Sequence, residues 1–226
     1  MRNLTLLEKI IVLNVFRLIE LVFIFFGALL SVTQNIWFVL LTVIGILFFR
    51  QHTRMIKKYQ AGRAGEKQAG KLLKGLPKGY EKRHHVYVVW NGQKSELDYL
   101  VVGPTGVFVI EVKNMSGVIR GTEEDAKWTQ NKVLKNGKPF SHAFYSPVKQ
   151  VRTHAVHLSK KLNHVLEYDQ KIWVHGLVLF VHPESKMELE HVQTPVFTEI
   201  HPLIHYILNR EKKYNRKQVR EILSVI

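Results

Sequence analysis

From Ile10 to Phe49 the chain is dominated by Leu, Ile, Val and Phe, whereas beyond Arg50 apolar and polar residues alternate over short periods. The apolar segment is interrupted at Ser31-Val32-Thr33-Gln34-Asn35, leaving one stretch from Ile10 to Leu30 and another from Ile36 to Phe49. The first has about the length of a bilayer-spanning helix, and the second reaches it when Val32 onward is counted. The pattern predicts a hairpin of two membrane helices over residues 1–52. Two apolar segments, a polar break and no small-residue cleavage pattern argue against a secretory signal peptide.

After Arg50 the periods shorten. A helix is predicted from Met55 to about Leu76, with Ala61, Ala64, Ala69, Leu72 and Leu73 set among charged residues and Gly75-Leu76-Pro77 ending it. Tyr80 to Trp90, Ser95 to Val102 and Gly106 to Lys113 are rich in Val, Ile, Tyr or Phe. They are separated by Asn91-Gly92 and by Gly103-Pro104-Thr105-Gly106, which predicts three consecutive antiparallel strands. Ser146-Pro147 supplies an N-cap and a first-turn proline to a helix carrying Val148, Val151, Ala155, Leu158 and Leu162 on one face. Ile172 to Val181 reads as a buried strand, and Ile200 to Ile226 as one or two short helices. The order helix, three strands, helix, strand implies a layered α/β domain over residues 53–195, followed by a helical extension over 196–226.

Charge adds an orientation. Arg2 and Lys9 precede the first span, and Arg50, Arg54, Lys57 and Lys58 follow the second, so both ends are expected in the cytoplasm and the chain in the cell membrane. Asn14, Arg17 and Glu20 are costly in lipid unless paired. Arg17 and Glu20 lie three apart on one helical face and are expected to neutralise each other, with a transport role as the outside alternative. The chain has no cysteine, which removes disulfides and thiolate metal sites and suits a reducing compartment. A net charge of +15 fits nucleic acid, an anionic leaflet, or a merely solvated basic surface. The 12 histidines contain no H-E-x-x-H motif, and no P-loop is present.

The chemistry concentrates in the hairpin Ser95 to Lys113. Proline at the second and glycine at the fourth position of Gly103 to Gly106 suit a type I turn. Counting outward from Val102 opposite Val107 places Asp98 opposite Glu111, with Lys113 on the same face. Opposed like charges repel, so a cation is expected between them, Mg²⁺ or Mn²⁺ being suited to carboxylate oxygens. Lys113 beside such an ion would orient or deprotonate a water, or offset charge on a scissile phosphate. The same frame puts Glu96 opposite Lys113, so a cross-strand salt-bridge ladder is an equal alternative on geometry alone.

The residues resemble the nuclease-related domain of many bacterial proteins, a branch of the restriction-endonuclease-like superfamily. The match is carried by Ala61-Gly62-Arg63-Ala64-Gly65-Glu66, by the run from Glu96 to Asn114, and by Gly117, Trp128 and Pro147-Val148-Lys149-Gln150, over roughly residues 60 to 165. The resemblance implies a restriction-endonuclease-like mixed sheet core flanked by helices. It implies Asp98 and Glu111 as metal ligands, Lys113 as the catalytic lysine, Glu66 as a further carboxylate of the site, and Gln150 as a supporting glutamine. Read without it, Glu66 is a solvated helix residue and Gln150 a polar rim position. Trp128 and Gly117 read as structural, one for packing and one for a turn. His154 and His157, on the helix of Gln150, read as surface or core histidines, with an approach to the site or to phosphate as the alternative.

Three functions compete. The first is a membrane-anchored, metal-dependent nuclease hydrolysing phosphodiester bonds, in DNA first. The second is a catalytically inactive module of the same fold that binds nucleic acid or protein at the membrane. The third is a basic module whose charge serves only the anionic leaflet of the lipid bilayer.

Overall fold

The computed structural model describes residues 4–31, 36–134 and 136–226. Of the polar break expected at Ser31-Val32-Thr33-Gln34-Asn35, Ser31 ends the first helix and the other four residues lie outside the described residues, as does Arg2. The chain divides into two compact units, Met1–Ala64 and Gly65–Ile226.

The first unit contains helix α1 (Leu6–Ser31) and most of helix α2 (Ile36–Leu72). The apolar stretch from Ile36 and the helix expected from Met55 are one element of 37 residues. No glycine or proline lies between Phe49 and Met55, and the Thr53 hydroxyl donates to the Phe49 carbonyl (2.7 Å), so the polar residues there continue the helix. The two helices pack antiparallel, with Gly27 against Thr42 and Gly45 against Ile24, where the missing side chains allow close approach. Ile10, Leu13 and Ile56 form a small core with Met55 and Tyr59. Elsewhere the apolar side chains face outward, Leu18, Phe25, Trp37 and Leu47 each being at least 60% exposed. Both helices are long and apolar enough to cross a membrane, by length and composition.

The ion pair expected between Arg17 and Glu20 is not formed. Glu20 Oε1 meets Nδ1 of His52 on the facing helix at 2.6 Å, while Arg17 approaches Asn14 (3.5 Å) and lies over the Phe49 ring at 4.7 Å. A side chain on the packed face of a hairpin reaches its neighbour helix as readily as the next turn of its own.

The second unit is a mixed α/β structure with two sheets. A short 3₁₀ turn (Leu73–Gly75) closes α2. Strands β1 (Glu81–Trp90), β2 (Gln93–Gly103), β3 (Gly106–Lys113), β7 (Val174–Phe180) and β9 (Val196–Phe197) form one sheet in the order β1-β2-β3-β7-β9. The first three are antiparallel, as expected, and β7 and β9 add in parallel. Asn91 and Gly92 both have positive φ (48° and 73°), the two-residue turn whose twist matches the flanking strands. Helix α3 (Pro147–Val165) and helix α5 (Arg216–Ser224) cover one face through Val148, Val151, Leu158, Leu162, Val219 and Ile222. The end of α2 and helix α4 (Ile200–Leu208) cover the other through Ala69, Leu73, Leu203 and Ile207.

A second sheet, β6-β5-β4-β8, was not expected from the pattern. It comprises β4 (Gly117–Thr122), β5 (Lys127–Val133), β6 (Pro139–Tyr145) and β8 (Ser185–Glu190). These strands are polar and largely solvated, so the hydrophobic period is faint; on β5 only Trp128 and Gln130 are buried. The signal that would have found the β5–β6 hairpin is Asn136-Gly137, with Gly137 at φ 76°. Trp128 is the structural residue expected of it: fully buried, its indole N–H donates to the Thr122 carbonyl (2.9 Å), and its ring fills the space a Cβ on Gly121 would occupy. Trp128→Phe is expected to cost about 1–2 kcal/mol through the orphaned carbonyl and lost volume, read as a Tm lowered by several degrees in thermal unfolding.

Candidate active site at a fork in the sheet

β2 and β3 pair in the frame counted from their turn, from Gly103–Gly106 up to Tyr99–Ile110. There they part. The β2 residues 93–97 go on pairing with β1 alone, and Glu111, Val112 and Lys113 with β7 alone. Asp98 and Glu111 stand at the root of this fork. One more step of the frame would set their carboxylates opposite each other. The ladder instead ends one pair short, and Asp98 Oδ2 accepts from the Val112 backbone N–H at 2.8 Å. Like charges facing across a ladder repel, and each carboxylate takes a different partner.

The β1–β2 ladder fails at the same level. His84–Tyr99 and Val86–Leu97 pair, but His85–Asp98 does not, and His85 has left-handed backbone (φ 52°). The alternation of β2 resets here: Leu97 and Leu100, three apart, point into one core cluster. A non-glycine residue held in this conformation costs roughly 1 kcal/mol or more, a strain that surrounding contacts must offset. The His85 ring supplies such contacts, with Nε2 at 3.1 Å from Glu66 Oε2 and Nδ1 at 3.6 Å from Glu96 Oε1.

The other side chains converge from four elements. Lys113 Nζ donates to Glu111 Oε1 (2.7 Å) and to Gln150 Oε1 (3.1 Å), the latter in the first turn of α3, where the Ser146 hydroxyl caps the helix. Glu66 comes from the end of α2, its carbonyl accepting from the Tyr99 hydroxyl (2.9 Å). Glu96 takes the Tyr87 hydroxyl (3.2 Å) and pairs with His85, not with Lys113, so the cross-strand salt-bridge ladder is not built. His157 bonds Ser95 (2.8 Å) and is structural. His154 Nδ1 lies 3.8 Å from Glu111 Oε2, beyond hydrogen-bond reach, and among the described residues neither of these buried atoms has a hydrogen-bond partner.

Burial, then the neighbouring Glu111, pushes the Asp98 carboxyl up to about 8. Burial and then Asp98 push Glu66 up to about 7. Glu111, 2% exposed, is also raised by burial, with Lys113 opposing. For Lys113 burial favours the neutral amine, but Glu111, Asp98 and Glu66 outweigh it, so its pKa is raised and the ammonium persists. Burial, then Lys113 and His157, lowers His154 to about 4; it is neutral at pH 7, and its approach to Glu111 is no ion pair. Three carboxyls thus share one cation.

Among the described residues, no three His, Asp or Glu side chains converge into a ready-made metal cage. Mg²⁺ requires less, commonly one or two carboxylates with waters and phosphate. The partnerless Glu111 Oε2 and the raised carboxyls of Asp98 and Glu66 fit a divalent cation in that manner. His85 was missed because nothing in a run of Lys82-Arg83-His84-His85 marks one residue as left-handed. Counting the Asn91-Gly92 hairpin outward would have placed it opposite Asp98.

Comparison with known proteins bears on this arrangement. Over 93 residues the chain is 38% identical to an uncharacterized protein of Bacillus anthracis, a match that covers 40% of this chain and 43% of that protein. The chain thus spans less than half the length of this relative. No solved structure matches. The model of the nuclease-related domain matches residues 61–181, which hold Glu66, Asp98, Glu111, Lys113 and Gln150. With more than half of its length so matched, the chain belongs to the nuclease-related domain family.

Proposed function

We propose that this protein is a membrane-anchored, metal-dependent nuclease of restriction-endonuclease-like fold, hydrolysing phosphodiester bonds in DNA at the fork between β2 and β3. The observation that carries this reading is the buried Glu111 carboxylate, one oxygen on Lys113 and the other without a partner, beside Asp98 at the point where the strands separate. Asp98 and Glu111, with Glu66, would hold Mg²⁺ or Mn²⁺. When bound, such an ion supplies an activated water and neutralises charge on the phosphate. Lys113, kept charged by its carboxylate neighbours, offsets charge on the scissile phosphate rather than abstracting a proton. Gln150 holds the ammonium in place from α3. His85 holds Glu66 toward the root of the fork.

The anchor rests on α1 and α2, whose apolar side chains have little protein to cover them. Arg50, Arg54, Lys57 and Lys58 follow the apolar part of α2 and support a cytoplasmic position for that end. The full chain in detergent micelles is expected to cut DNA with Mg²⁺ or Mn²⁺ and to stop in EDTA. Metal-independent DNA binding with no product on long incubation would assign the domain to non-catalytic binding instead. Running DNA and RNA substrates in parallel identifies the nucleic acid.

A further inference from the structure

The fork holds three carboxyls beside one ammonium, so without a bound cation it offers a phosphate backbone little net positive charge. A substrate strand reaching it is held more firmly by positive charge supplied from beside it. One flank carries such charge. β1 is the edge strand of its sheet, so among the described residues no strand pairs with its outer side. Along it, Lys82, Arg83, His84 and His85 line a groove of about 570 Å³ with Val86 and Tyr87.

Lys82 and Arg83, like Lys127 and Lys186 on the second sheet, are among the cations of this unit that no carboxylate neutralises among the described residues. Arg120 pairs with Glu188 (2.6 Å) and Arg152 with Glu123 (2.8 Å), while among the described residues no carboxylate lies within 4.0 Å of Lys82 or Arg83. Arg83 is nonetheless held in place, since Nη1 donates to the Leu223 carbonyl at 2.9 Å, a contact that orients the guanidinium without neutralising it. His84 packs on His85 and Tyr99, with ring centroids 5.2 and 6.2 Å away, and the Tyr99 hydroxyl reaches Glu66. The strip also leads to the fork: His85, next in sequence, lies level with Asp98 in the β1–β2 frame and turns its ring to Glu66 and Glu96.

We propose that Lys82, Arg83 and His84 on the edge of β1 bind the sugar-phosphate backbone of the DNA strand that enters the fork. The inference rests on the nuclease reading and adds to it the path of the substrate. An anionic lipid surface would use the same charges, but it would have no need of their continuity with the carboxylates.

The test is the affinity of the full chain, in uncharged detergent and EDTA, for a fluorescein-labelled DNA duplex over a range of salt. The Lys82→Ala, Arg83→Gln double variant is expected to bind at least about ten-fold more weakly at low salt, with a slope of log affinity against log salt shallower by roughly two. Glutamine at 83 can still donate to the Leu223 carbonyl, and Lys82→Ala alone, expected to lose about half of the effect, guards against a folding defect. Lys127→Ala, Lys186→Ala on the second sheet removes equal charge and is expected to stay within about two-fold of the unchanged protein. Equal losses in the two double variants would overturn the strip while leaving the nuclease reading intact. Unchanged DNA affinity with lost retention on phosphatidylserine vesicles would assign the strip to lipid and overturn it too. If the unchanged protein binds no DNA at moderate salt, the nucleic-acid reading and the strip fall together.

Discussion

Lys113→Ala is expected to abolish metal-dependent DNA cleavage, lowering the single-turnover rate by about 10²–10³ or more, the usual effect of removing a group that stabilises transition-state charge in a buried site. Two features set that magnitude. The ammonium is the cation of the fork, held between Glu111 and Gln150 at 2.7 and 3.1 Å, and its charge is secured by the surrounding carboxyls. Its removal also strips Glu111 of the partner that compensates its burial, which costs about 3–5 kcal/mol if that carboxylate stays ionised and less if it takes up a proton. Thermal unfolding in EDTA should therefore show a Tm drop that shrinks as the pH is lowered. Gln150→Ala, which only loosens the ammonium, should lose less on both counts. Undiminished Mg²⁺-dependent cleavage by Lys113→Ala would remove this lysine from the mechanism.

Asp98→Asn is expected to have the opposite effect on stability. The Asp98 carboxyl rises from 3.8 to about 8 on folding, so the folded state holds its proton more tightly than the unfolded one. The sign follows from linkage: this group favours folding fully below about pH 4, and the benefit is lost as pH rises through about 8, where the buried carboxylate ionises beside Glu111. Glu66, raised to about 7, adds to the same trend. The metal-free protein should lose Tm steadily over this window. Asparagine keeps an acceptor for the Val112 N–H without a charge to bury, so the variant should gain on the order of 2 kcal/mol at pH 8 in EDTA, several degrees of Tm. It should also lose Mg²⁺- or Mn²⁺-induced stabilisation and at least about a hundred-fold in metal affinity by calorimetry. A variant that is less stable than the unchanged protein in EDTA, yet still stabilised by metal, would show that Asp98 serves the fold and not the ion.

Such opposed effects are what a site built of mutually repelling groups produces. The strand separation at Asp98 and Glu111, the left-handed His85 and the partnerless Glu111 oxygen each cost stability, and all lie at one level of the sheet. Regular pairing on either side offsets them, with five β2–β3 pairs below the fork and five β1–β2 pairs above it.

Features set by local geometry were legible in the sequence alone. Length and unbroken hydrophobicity marked α1 and the start of α2. Asn91-Gly92 and Gly103 to Gly106 determined both hairpins and their frames, because a tight turn leaves one register open and the period of two then assigns every face. That is enough to bring Asp98, Glu111 and Lys113 to one place from the residues alone. Only the tertiary structure decided where the frame stops, because a ladder ends where repulsion between its side chains meets better partners elsewhere. Asp98 turned to a backbone N–H, Lys113 found Gln150 thirty-seven residues on, and Glu20 took His52 across the hairpin instead of Arg17 in its own helix. The second sheet stayed hidden for a related reason: its strands are stabilised by pairing with β8, far along the chain, and by one buried tryptophan, neither of which leaves a period to read.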